Sequence, residues 1–234
     1  MLNEKELEKF ESTIQYSFED KKLITQAFVH RSFINENQKS GLSHNERLEF
    51  LGDAVLELVV TDFLYDKYPN KTEGELTAHR AALVNAVTLA EVANDIGVNN
   101  LMLLSKGESR DTGRARQTIL ADAFEAVIGA LYLEGGYISA KKFIDKFLIA
   151  KAEEVIKRGM LKDAKSKVQE KAQEIFSVTP SYKVMRETGP DHDKKFVVGI
   201  YFGTDKVAEG EGKSKQEAEQ RAAQKAIEDK GWIS

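Results

Sequence analysis

One stretch constrains this chain more than any other: His44-Asn45-Glu46-Arg47-Leu48-Glu49-Phe50-Leu51-Gly52-Asp53-Ala54-Val55-Leu56-Glu57-Leu58-Val59. Apolar residues recur at helical spacing and no proline interrupts them, so the stretch predicts a helix. At 100° per residue Glu49 and Asp53 share one edge, with Glu46 one turn before Glu49. That edge continues into Leu56 and Val60, while Leu51, Ala54, Val55 and Leu58 lie opposite. A helix apolar nearly all round is expected to be buried. Carboxylates on it are then partly out of bulk water, where an unpaired charge needs a cation or a proton.

Acids are also favoured in the first turn of a helix by its dipole, which would account for Glu46 and Glu49 without any site. Asp53, two turns in, is not covered by that explanation. From this stretch alone, an acidic site and an ordinary capped helix both stay open.

The chain has no cysteine, which excludes disulfides, thiolate metal ligands and cysteine nucleophiles. Its 41% apolar and 31% charged residues suit a globular protein. No apolar run approaches the roughly 20 residues of a membrane span, and the N-terminal Met1-Leu2-Asn3-Glu4-Lys5-Glu6 lacks the profile of a signal peptide. A cytoplasmic protein without membrane attachment is expected. Charge does not announce a nucleic-acid binder: residues 1–163 carry 21 Lys+Arg against 26 Asp+Glu, and residues 164–234 carry 13 against 12. Any such footprint must be a local patch.

Residues 3–40 read as two short helical segments, followed by a polar loop from Asn35 to Ser43. The long helix should run from about Glu46 to Tyr68 and stop at Pro69-Asn70. Thr72 and Glu75 have the spacing of a capping box, opening a helix that continues to Ile96 and stops at Gly97. A further apolar helix is expected from Thr118 to Glu134, ended by Gly135-Gly136, and another from Ala140 to Lys157. An all-α domain over 1–157, a linker at 158–163 and a smaller domain over 164–234 follow. In the smaller one the period changes: a helix over 164–176, strands at 181–186, 195–202 and 206–211, and a helix at 214–229. This is an α-β-β-β-α unit, with Ala218, Ala222, Ala223 and Ala226 as the packing face of its last helix.

The helix at 118–134 repeats the peculiarity of the first. Asp122 and Glu125, one turn apart, sit among Ile119, Leu120, Ala121, Ala123, Phe124 and Ala126. Two acid pairs on two apolar helices would repel each other without a counter-ion. Oxygen donors with no thiolate and no nearby imidazole suit Mg2+, with Mn2+ a plausible substitute. A di-iron bundle would want Glu-x-x-His motifs on its helices; Asp122-Ala123-Phe124-Glu125 and Glu46-Arg47-Leu48-Glu49 have none.

The run Asn45-Glu46-Arg47-Leu48-Glu49-Phe50-Leu51-Gly52-Asp53-Ala54 resembles the signature of the bacterial ribonuclease III family. The likeness extends through Val29-His30-Arg31-Ser32, Gly74-Glu75-Leu76, Leu103-Leu104-Ser105-Lys106-Gly107-Glu108 and Ile119 to Ala126. Residues 164–234 resemble a double-stranded-RNA-binding domain, most of all in Gly210-Glu211-Gly212-Lys213-Ser214-Lys215. The resemblance implies a divalent-metal endoribonuclease cutting double-stranded RNA to 5′-phosphates with short 3′ overhangs, in processing of ribosomal and other structured precursors. It implies Glu49, Asp53, Asp122 and Glu125 as metal carboxylates, with Asp53 and Glu125 catalytic. Glu46 and Glu73 are implied as supporting acids. The implied nucleophile is water activated by the ions, with no protein nucleophile and no organic cofactor. A homodimer is implied too, with Phe50 entering the partner; read from the sequence alone, Phe50 is an ordinary core residue. A non-cleaving RNA-binding regulator of the same fold is the second reading, and the intact acid set argues against it.

For RNA, the resemblance implies Ser166, Gln169 and Glu170 on the first helix of the smaller domain, Pro190 and His192 in a minor-groove turn, and Lys213 and Lys215 on phosphates. The two lysines open a helix, where the dipole also favours an anion. Gln216 stands where the family usually has another lysine. Arg110, Arg114 and Arg116 form a basic loop that suits either RNA backbone or plain solvent.

Overall fold

A computed structural model describes residues 4–190 and 194–232, and the chain divides into two compact units, 1–155 and 156–234. The first is built from helices. In α1 (Glu4–Ile14), Leu7, Phe10, Glu11 and Ile14 are buried at the 3–4-residue spacing of one helical face. The buried Glu11 is satisfied by Lys21 Nζ at 2.6 and 2.7 Å and by the Phe18 amide at 2.9 Å. That pairing pins α1 to the start of α2 (Lys21–Ala27), whose N-cap is Asp20. A third short helix, α3 (Arg31–Glu36), begins at the His30 cap, so the expected two segments are three.

Helix α4 (Glu46–Lys67) matches its expected span, but not its expected burial. Leu48, Gly52, Val55, Leu56, Val59, Val60 and Leu64 are buried, whereas Phe50, Leu58 and Tyr65 are exposed. Those three fall on one face, so α4 is amphipathic within the chain: half faces the core and half carries uncovered apolar groups.

Helix α5 (Glu73–Leu83) opens on the capping box, with Thr72 accepting from the Glu75 amide and Glu75 from the Thr72 amide. The single helix expected to reach Ile96 is two: Asn85 leaves the helical conformation and caps α6 (Ala86–Asp95) by accepting from the Thr88 amide. A local side-chain bond wins there over the apolar pattern that runs across the break.

Helix α7 spans Arg114–Phe147 and is interrupted at Gly136, whose φ of 69° is outside the helical region. Gly136 is thus the expected stop, although helix resumes directly after it. The helix expected over 140–157 ends at Phe147; a 3-10 turn over Ile149–Lys151 leads into α8 (Ala152–Phe176). Residues 158–163, expected as a linker, are helical backbone within α8. The extended pairing in the first unit, among the described residues, is an isolated bridge between Val29 and Leu103.

The second unit has the expected order. Strands β1 (Ser181–Thr188), β2 (Lys195–Phe202) and β3 (Asp205–Gly212) form an antiparallel sheet in the order β1-β2-β3, and α9 (Lys215–Asp229) closes it. Its core joins Ala164 and Val168 of α8 to Ile200, Ala208 and the alanine face Ala222, Ala223 and Ala226. The fit is close because Gly210 and Gly212 face α9: a Cβ on them would lie 2.3 Å from the Ala222 nitrogen and 2.6 Å from the Ala218 nitrogen.

The same device sets the crossing of α4 and α7. A Cβ on Gly52 would lie 1.7 Å from the Glu125 carbonyl oxygen, and one on Gly129 would lie 2.2 Å from that of Leu48. Helix propensity alone favours Ala over Gly by about 1 kcal/mol. Overpacking a close backbone contact costs about 1–3 kcal/mol or more. Net of both terms, Gly52→Ala is expected to destabilise the chain by about 1–2 kcal/mol in urea unfolding, and a stabilised variant would contradict the crossing.

Candidate functional site

The glycine crossing decides where the acids go. Glu49 and Asp53 lie within one turn of Gly52 on α4, and Glu125 lies one turn before Gly129 on α7, with Asp122 one turn earlier still. With the two backbones touching, Glu49, Asp122 and Glu125 each offer a carboxylate oxygen, and these three oxygens lie within 4.8 Å of one another. All three residues are half-buried.

Their protonation follows from burial and mutual repulsion. Desolvation first, then the charges of Asp53, Asp122, Glu49 and Glu57, push the Glu125 carboxyl up to about 8. Asp122 is raised by burial and then by Glu46; Glu49 is raised by burial, then by Asp122, Glu46 and Asp53. Like-charged acids in a partly dry site cannot all ionise near neutral pH unless a cation joins them. The donors are hard oxygens, and no histidine is among the three, which fits a magnesium-type divalent ion.

Asp53 is exposed and stands outside this trio, yet its charge is the largest of those acting on Glu125. Glu46 also stands outside it: its Oε1 is 3.2 Å from Arg31 Nη1 and its Oε2 is 3.6 Å from His44 Nδ1. Glu73 is exposed in the first turn of α5, accepts from Thr77 Oγ1 at 3.2 Å, and is not brought to the trio. Phe50, at 80% exposure, is no core residue.

The loop before α7 divides the three arginines. Arg116 donates to Asn99 Oδ1 from Nε at 2.9 Å and from Nη2 at 2.5 Å, a structural tie, while Arg114 and Arg110 are exposed.

In the second unit, Ser166, Gln169 and Glu170 line one shallow groove of α8 together with Gln173 and Glu174. Pro190 is exposed, and His192 lies outside the described residues. Lys213 and Lys215 flank Ser214, the N-cap of α9, and both side chains are exposed. Glu217 already uses part of that helix end: its Oε2 accepts from the Lys213 amide at 2.8 Å, and its Oε1 pairs with Arg221 at 2.6 Å. Lys215 Nζ sits 5.8 Å over the Phe196 ring. Sequence reasoning missed the two crossing glycines and the Arg31–Glu46 pair. A lone glycine in an apolar helix was the available signal for the former.

Known proteins resemble this chain over both units. Residues 20–152 match the family described as Ribonuclease-III-like, and residues 164–230 match the Double-stranded RNA binding motif. A Ribonuclease 3 of Borreliella burgdorferi is 44% identical over 223 residues, covering 95% of this chain and 90% of that protein. One of Bacillus cereus is 44% identical over 218 residues, with 93% and 89% covered. A solved nuclease domain of ribonuclease III from Campylobacter jejuni superposes with a TM-score of 0.54 at 42% identity, covering 61% of this chain and 99% of that one. The chain belongs to the ribonuclease III family, endoribonucleases that act on double-stranded RNA. Among the described residues no helix is long and apolar enough to cross a membrane.

The raised Glu125 carboxyl has a measurable sign. Its ordinary value is 4.5 and its folded value about 8, so the folded state binds its proton more tightly. That contribution to stability is complete below 4.5 and is lost as pH rises through about 8. In chelator, melting temperature should fall between pH 5.5 and 8.5 more steeply for the parent than for Glu125→Gln. Divalent ion should restore the parent but not the variant. Parallel pH profiles would contradict the assignment.

Proposed function

We propose that the chain is a magnesium-dependent, homodimeric endoribonuclease in which Glu49, Asp53, Asp122 and Glu125 hold the divalent ions, with Mn2+ able to substitute. The observation that carries this reading is the convergence of Glu49, Asp122 and Glu125 from two helices, in a chain that ends in a double-stranded-RNA-binding motif. A divalent ion held there supplies Lewis acidity, offsetting charge on the phosphodiester and making water a stronger acid. The protein supplies fixed orientation. Glu125 holds its proton near neutral pH until a cation favours its release, and Asp53 keeps that carboxyl electrostatically primed from across the crossing. Asp53 and Glu125 are the catalytic pair, and Glu46 and Glu73 are supporting acids. Hydrolysis by water needs no side-chain nucleophile and leaves 5′-phosphates with short 3′ overhangs when two sites act across a duplex.

A duplex backbone has a local two-fold relation, so two equivalent sites suit its two strands. Phe50, Leu58 and Tyr65 form the apolar face that a second copy would cover, with Phe50 entering the partner. The Campylobacter jejuni nuclease domain is described with a region involved in dimer formation, which supports this reading. In the second unit, the α8 groove with Ser166, Gln169 and Glu170, Pro190 with His192, and Lys213 with Lys215 serve as three contacts to successive grooves and the phosphates between them. Recognition is then of A-form shape, suiting structured ribosomal and other precursors in the cytoplasm.

Loss of groups around a metal's direct ligands costs about 10–100-fold in activity, so loss of a ligand should exceed that. Asp53→Asn and Glu125→Ala are expected to lower duplex cleavage by more than about a hundredfold with RNA binding nearly unchanged in a gel-shift titration. Binding lost in proportion to cleavage would contradict the division of labour. Phe50→Asp should shift the parent from dimer to monomer in sedimentation; an unchanged dimer would remove Phe50 from the interface.

A further inference from the structure

Arg31 is placed against the acid site by its own set of bonds. The Asn45 amide donates to the Val29 carbonyl at 2.9 Å, and Asn45 Nδ2 donates to that of Ala27 at 3.2 Å. The His30 amide donates to Leu103 at 3.1 Å, and Leu103 donates back to Phe28 at 2.8 Å. The residues just before Arg31 are thus tied to the residue just before Glu46, and the two side chains meet at 3.2 Å.

The pair sits at an open edge, with the Arg31 side chain 68% exposed and that of Glu46 43% exposed. An exposed single-contact ion pair is weak and readily exchanged. A phosphate can take the guanidinium through two parallel N–H groups, where Glu46 holds it through one contact. Glu46 also has a second neighbour, His44 Nδ1 at 3.6 Å, which remains if the guanidinium leaves. Glu46 also acts electrostatically on Glu49 and Asp122, two of the clustered acids, so a phosphate drawn to Arg31 would lie beside a neighbour of the trio.

We propose that Arg31 contacts a backbone phosphate of the bound RNA duplex at the rim of the carboxylate site, and that Glu46 holds the guanidinium there until that phosphate displaces it. The assignment rests on the reading of the chain as a double-stranded-RNA nuclease. Arg31 is a substrate-contacting residue in it, and Glu46 is a positioning residue and a competitor.

The test uses the full chain carrying Glu125→Gln, so that the duplex is not cut, with fluorescence anisotropy on an RNA duplex in Mg2+ across a series of salt concentrations. Each phosphate contact contributes about 0.9 to the slope of log affinity against log salt on a duplex. Arg31→Ala should lower that slope by about one contact and weaken binding, while Arg31→Lys should keep the slope. Glu46→Gln, which removes the competitor, should tighten binding. A merely structural pair predicts otherwise: both substitutions would act in the same direction and the slope would not move. An unchanged slope in Arg31→Ala, or weaker binding in Glu46→Gln, overturns the assignment alone. No RNA binding by the otherwise unsubstituted Glu125→Gln chain and by the parent overturns the function, and the assignment with it.

Discussion

The contact on which the site depends is the crossing of two helix backbones at Gly52 and Gly129. A side chain of any size at either place would drive the helices apart, since even a Cβ would fall inside the opposing carbonyl oxygens. Interiors are close-packed, so such a contact is kept or lost as a whole. Because the backbones touch, carboxylates one turn away on either helix are forced together, and repulsion among them is built into the fold. Burial on the same two helices sharpens that repulsion by removing water from around the charges. A site that is uncomfortable alone is one that a divalent cation relieves.

The second unit uses the same economy of small residues for a different end. Gly210 and Gly212 let β3 lie directly on α9, whose alanine face is fully buried. That close seat fixes the start of α9, and with it Lys213 and Lys215, relative to the α8 face packed on the same core. The N-terminal end of α9 is also occupied in part: Glu217 accepts from the Lys213 amide and is itself held by Arg221. An internal carboxylate so placed lowers the attraction of that helix end for an anion, leaving the two lysine side chains to carry the charge.

Much of this was legible in the residues. Acids spaced 49–53 and 122–125 within apolar runs pointed to a cluster that no local capping rule explains, and the structure brings Glu49, Asp122 and Glu125 of that set together. The capping box at Thr72 and Glu75, the spans of α4 and β2, and the alanine face of α9 followed from short-range chemistry that packing does not override. What stayed hidden depended on distant partners. Whether α4 is buried all round is decided by what packs on Phe50, Leu58 and Tyr65, and within this chain nothing in the pattern says that this face is left open. The break at Asn85 was masked by apolar residues on both sides, and the helical run through 158–163 by a charged, glycine-bearing composition that reads as a linker. Arg31 and Glu46 are brought together by the bonds of Asn45 to Val29 and Ala27, contacts that no short sequence window contains.

The most direct test of the account is to incubate the purified chain with a long perfect RNA duplex and with a DNA duplex of the same sequence, in magnesium and in chelator. Cutting of the RNA alone, and only with magnesium, is the predicted result. Tight binding of the RNA with no cutting in magnesium or manganese would contradict it, and would make the chain a duplex-RNA-binding protein whose clustered carboxylates serve something other than hydrolysis.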